Sequence, residues 1–98
     1  MRGIKVELRA GVGRENTLRQ AAGFPLRQTD RAVYPLLAGV DPYSTTYFGQ
    51  LQMGWLVDEL DEFAATFEGS ERDVVLTVED MAREGSAKPH HYLVFRGD

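Results

Sequence analysis

The 98-residue chain contains no cysteine. That single absence excludes disulfides, thiolate nucleophiles, cysteine-ligated zinc and iron–sulfur clusters together. It also lacks any apolar run long enough to cross a bilayer, and its first residues, MRGIKVELRA, alternate charged and apolar side chains where a signal peptide would carry an unbroken apolar region. A cytoplasmic protein with no membrane partner is therefore expected. No Gly-Lys-Ser/Thr and no Gly-x-Ser-x-Gly occurs, which removes the phosphate cradle of a P-loop and the nucleophile elbow of a hydrolase. Between Arg31 and Arg72 there is not one basic residue.

What remains is 43% hydrophobic and 27% charged, the composition of an ordinary globular protein, and the length suits one domain over residues 1–98. A chain this short buries only roughly 60–65% of the surface its unfolded form exposes, so a large enclosed cofactor cavity is not expected. The net charge of −4 conceals a split. Residues 1–31 hold seven bases against three acids, a balance of +4, and the remainder holds four bases against twelve acids, a balance of −8. Such asymmetry marks either an interaction surface or two segments of one molecule lying against each other.

Ile4, Val6 and Leu8 alternate with Lys5, Glu7 and Arg9, the period-2 pattern of a half-buried strand over about residues 3–10. Gly11-Val12-Gly13 reads as the turn that ends it. From Arg14 to Gly39 the apolar pieces are short and fit neither period, leaving short strand or single-turn helix open. Asp41-Pro42-Tyr43 reads as a turn, because Asp bonds its own backbone and Pro presets φ. Met53, Leu56, Val57, Leu60, Phe63, Ala64 and Phe67 then recur at three- and four-residue intervals and predict a core-facing helix over about 49–68, with Thr45 or Thr46 as its cap and Gly69 at its end.

Ser70-Glu71-Arg72-Asp73 approximates a capping box, Val74, Val78, Met81 and Ala82 share one helical face, and Gly85 suits a C-terminal stop, so a second helix is expected over 70–85. The β-formers Val74 to Val78 keep a strand open as the alternative. His91 to Phe95 predicts a closing strand after Pro89. The expected fold is α+β: a small antiparallel sheet that includes the first and last strands, with one or two helices packed on one face.

Two constellations invite a functional reading. On the first helix Asp58, Glu59 and Glu62 project away from the apolar arc, and Leu51 and Trp55 project with them. A Trp among carboxylates suits the anchor of a protein interface, with the acids steering a basic partner; the alternative is that the stretch holding Tyr43, Tyr47 and Phe48 folds back and covers it. The second constellation pairs His90 or His91 with a carboxylate such as Asp41 or Glu59, which would suit a small-molecule binder or an enzyme. Adjacent histidines on a strand point to opposite faces, so no metal site is expected, and nothing implies a cofactor. Nucleic acid is disfavoured as a partner: Glu7 interrupts the row of Lys5 and Arg9, and the aromatics lie elsewhere in the sequence.

Tyr34-Pro35-Leu36-Leu37, Val40-Asp41-Pro42-Tyr43, Phe48, Leu51-Gln52-Met53 and the closing His91 to Asp98 resemble a group of short actinobacterial proteins with no assigned activity, over about the last two thirds of the chain. The resemblance implies a bacterial, intracellular setting and transfers no catalytic residue. The sequence thus leads to an expectation of a small non-catalytic interaction module, immunity- or antitoxin-like, that offers Leu51, Trp55, Asp58, Glu59 and Glu62 to a basic protein. A homodimer joining the basic N-terminal third to the acidic helix of a second copy is the other partner considered.

Overall fold

A computed structural model describes residues 4–11, 16–26 and 29–97. The elements run β1 (Ile4–Ala10), β2 (Asn16–Phe24), a 3-10 turn (Leu37–Gly39), β3 (Thr45–Phe48), α1 (Gln50–Ala64), α2 (Gly69–Ser86) and β4 (His91–Arg96). The four strands form one antiparallel sheet in the order β2-β1-β4-β3, so the two terminal strands are its centre. Both helices lie on one face, as the α+β expectation requires.

Alternation explains which face. Ile4, Val6 and Leu8 of β1, Leu93 and Phe95 of β4 and Phe48 of β3 point into the helix layer. There they meet Met53, Leu56, Leu60 and Phe63 of α1 and Val75, Val78, Met81 and Ala82 of α2. Phe24, at the end of β2, stacks on Phe63 and meets the edge of Phe95 at 5.3 Å, which ties the outer strand to the centre of the core.

Several boundaries differ from the sequence reading. α1 begins at Gln50, because Thr45 and Thr46 belong to β3; the N–H of Gly49 instead donates to Oε1 of Gln52, three residues on. It ends at Ala64, and Phe67 reaches the core from the connection to α2. Gly69, with φ of +62°, adopts the left-handed conformation at the start of α2 rather than at the end of α1. Ser70 makes no cap: α2 has Glu68 before its first residue and no side-chain cap bond. The β-formers of 74–78 are helical, because Val75 and Val78 bury on the α1-facing side while Leu76 and Thr77 stay exposed.

β2 was not legible as a strand. Its pairing with β1 shifts register twice, between Ile4 and Val6 and between Leu8 and Arg9, and each irregularity breaks the period-2 pattern of a regular strand. It is also an edge strand whose only fully covered residue is Phe24. The expected turn at Gly11-Val12-Gly13 lies between β1 and β2; Val12 and Gly13 are outside the described residues.

Gly85 has a role the sequence did not suggest. It lies inside α2 and is buried, and a Cβ built there would fall 2.5 Å from Sδ of Met53 and 2.9 Å from Cδ1 of Leu8. The missing side chain is therefore the notch through which α2 meets α1 and β1 at once. Gly85→Val is expected to destabilise the protein by about 2–3 kcal/mol through overpacking. Gly85→Ala should cost less, because the ends of Met53 and Leu8 can swing aside and Ala improves helix propensity by about 1 kcal/mol. Urea unfolding of the two variants against wild type measures both.

Candidate functional site

α1 presents its outer stripe to solvent. Leu51 is 70% exposed and Trp55 58% exposed, with Asp58 and Glu62 continuing the same stripe at intervals of three and four residues. Tyr43 and Tyr47 do not fold back over them: both are themselves exposed, and only Phe48 of that stretch enters the core. Gln50, Leu51, Gly54, Trp55 and Ser86 line a shallow recess of about 420 Å³ at the start of the helix, and Nε2 of Gln50 donates to the carbonyl of Ser86 across its floor. Four of the five expected interaction residues therefore share one surface.

Glu59 does not join them. It is buried, and its carboxylate accepts the backbone N–H groups of Leu36 (3.0 Å) and Leu37 (3.0 Å), which open the 3-10 turn and have no partner within it. The helical projection placed Glu59 among the solvated acids because it sits at the border of the arc, and the tertiary structure folds residues 34–40 against that border. Tyr34 meets the edge of Phe63, and Leu37 and Val40 enter the core beside it. Glu59 is thus a clasp between α1 and the long connection.

The acidity of the helix layer is real and close-set. Burial first, then the charges of Asp61 and Asp58, push the carboxyl of Glu79 above its ordinary value, while its bond to Arg83 at 3.0 Å pulls the other way. Part of the opposite charge of the N-terminal third is met within the molecule: Arg19 of β2 reaches Asp80 at 2.9 Å and Glu84 at 3.0 Å on α2.

The histidines are not brought to an acid. His90 is exposed in a turn with φ of +60°, and Nδ1 of His91 lies 2.8 Å from the carbonyl of Pro89. Among the described residues no hydrogen bond or ion pair joins either imidazole to a carboxylate. Asp41 is occupied as well, accepting from the N–H of Tyr43 and the hydroxyl of Ser44, and these bonds hold its carboxyl below its usual value. No group of three or more His, Asp or Glu able to hold a metal occurs among the described residues.

The sheet's other face was missed. Neither helix covers it, and pairing sets Lys5 beside Arg96 and Thr45, Glu7 beside Val94 and Tyr47, and Arg9 beside Tyr92. Glu7 is buried among its cations, with Oε1 at 2.7 Å from Arg9 and Oε2 at 3.5 Å from both Lys5 and Arg96. The rings of Tyr47 and Tyr92 are 5.9 Å apart. Tyr47 and Tyr92, distant in sequence from Lys5 and Arg9, therefore share a face with the basic row. The signal was available: once the first and last strands pair antiparallel, Tyr92, Val94 and Arg96 must face the same way as Lys5, Glu7 and Arg9.

Fold and site together define an α+β protein with a one-sided helix layer, an acidic stripe outward on α1, and Lys5, Arg9 and Arg96 on the sheet face away from the helices. No protein-family model matches this chain, and comparisons with curated proteins and with solved structures give no match either. Among the described residues no helix is long and apolar enough to cross a membrane.

Two measurements follow from these carboxylates. Glu59→Ala leaves two backbone donors without their acceptor and should cost about 2–3 kcal/mol in urea unfolding, whereas Glu59→Gln keeps an acceptor and should cost about half as much. For Glu7, burial raises the pKa, but the bond to Arg9 and the charges of Arg9, Arg96 and Lys5 outweigh it and hold the group below 4.5. A depressed folded value means that the unfolded chain takes up the proton first, so Glu7 stabilises above 4.5 and loses its contribution as pH falls through the folded value. Unfolding midpoints collected on the acid side should fall more steeply for wild type than for Glu7→Gln.

Proposed function

We propose that this protein is a non-catalytic interaction module that holds a basic protein partner on the outer stripe of α1. The observation that carries the reading is Trp55, more than half exposed on a regular helix, one turn from Leu51 on one side and from Asp58 on the other. A large aromatic left in water costs solvation that a partner would recover, and tryptophans flanked by a polar rim dominate interface energies. Asp58 and Glu62 on the stripe, with Asp61 beside them, supply a negative field that speeds the encounter with a basic surface and weakens in salt. Removal of Glu59 from the patch leaves that balance in place. The recess beside Trp55 would receive an apolar side chain of the partner.

A histidine–carboxylate enzyme has no comparable support, because Asp41 and Glu59 are both engaged by backbone donors.

The double variant Trp55→Ala/Asp58→Lys provides the test. Both side chains are exposed, so circular dichroism and the urea midpoint should match wild type. Used as paired baits in the native extract, wild type should retain a basic protein that the variant does not. That protein, purified and titrated, should bind the variant roughly 30-fold or more weakly, the equivalent of about 2 kcal/mol, and bind wild type less tightly as salt rises. If no protein distinguishes two equally folded baits, the reading is wrong.

A further inference from the structure

The face of the sheet that neither helix covers has the make-up of a different surface from that of α1, and we propose that it binds single-stranded RNA. The face presents two exposed cations, Lys5 and Arg96, and a largely buried Arg9 around one carboxylate, with Tyr47 and Tyr92 immediately beside them. Glu7 does not cancel the patch. It is buried beneath its partners, and only Arg9 is held closely, through both Nε and a terminal nitrogen at 2.7 Å. Lys5 and Arg96 stand 3.5 Å from Oε2 and keep about half of their side-chain surface in water, 49% and 50%. One buried carboxylate thus positions two exposed cations side by side on adjacent strands and leaves the group two charges positive.

Charge complementarity selects a polyanion, and the tyrosines select which. Tyr47 is 55% exposed, lies directly across from Val94 and next but one to Arg96 in the sheet, and forms a tilted pair with Tyr92. A ring open to solvent beside cations that can reach phosphates is what unstacked bases require, since every base has a π-face to offer. A duplex, with its bases stacked internally, cannot use it. Thr45 and Gln20, exposed at the margins of the same face, offer hydroxyl and amide groups to a ribose 2′-hydroxyl, which favours RNA over DNA.

The protein's net charge of −4 does not oppose this. Asp58, Asp61 and Glu62 lie on the helix layer, which packs against the other face of the sheet. At physiological ionic strength fields are screened over about 8 Å, which limits the reach of these acids to the cations on the opposite face.

Fluorescence anisotropy with a labelled single-stranded RNA of about ten nucleotides tests the proposal, with the same sequence as DNA, as duplex RNA, and with a heparin fragment as competitor. Saturable binding near a dissociation constant of about 10⁻⁶ to 10⁻⁴ M is expected, tighter for single-stranded RNA than for DNA or duplex. Tyr47→Ala should weaken it roughly ten-fold and Tyr47→Phe should restore it. Arg96→Gln should reduce the slope of log affinity against log salt by about 0.7. Three results overturn the proposal. One is the absence of saturation at about millimolar protein. Another is binding that heparin displaces equally and Tyr47→Ala leaves unchanged, which denotes a polyanion patch only. The third is DNA binding as tight as RNA. A dimer in sedimentation that Arg96→Gln dissociates, without RNA binding, would assign the face to a second copy instead. Circular dichroism of each variant separates these results from unfolding.

Discussion

The tightest constraint on the packing of the helix layer is the close approach of α2 to α1 and the sheet at Gly85. With no Cβ at that position, Met53 of α1 and Leu8 of β1 occupy the space a side chain would take, and three elements share one contact. Dispersion and burial reward such proximity only if no volume is wasted. The result is a dense single layer of helices on one face of a four-stranded sheet.

That one-sidedness separates the charges as well. Strand alternation sends Ile4, Val6 and Leu8 inward and therefore Lys5, Glu7 and Arg9 outward. Helical periodicity sends Leu56, Leu60 and Phe63 inward and therefore Asp58, Asp61 and Glu62 outward on the opposite side of the molecule. Buried carboxylates then organise each region. Glu59 binds backbone donors of the long connection to α1, and Glu7 aligns cations across three adjacent positions of the sheet. Each is satisfied, which is the condition under which a buried charge can be tolerated.

The two terminal strands, the main helix and the acidic stripe with Trp55 were readable because their side chains repeat at the period of their own element. β2 was not, since two register shifts break its alternation, and β3 was not, since four residues of Thr, Thr, Tyr and Phe look as much like the approach to a helix as a strand. Glu59 shows the limit most clearly. Its place on the helical wheel is the same whether it faces water or the N–H groups of Leu36 and Leu37, and no local pattern records where a connection more than twenty residues upstream will fold.

The class of fold, the absence of thiol chemistry and the segregation of acid to the back of a core-facing helix follow from composition or from a period counted along the chain. Tertiary structure alone decided that Trp55 stays uncovered, that Glu59 is a clasp rather than part of the patch, and that Tyr47 and Tyr92 join Lys5 and Arg96 on one face. Those outcomes depend on which strands become neighbours and on what the connections cover. Neighbours distant in sequence are chosen by burial over the whole core, a sum that no single segment contains.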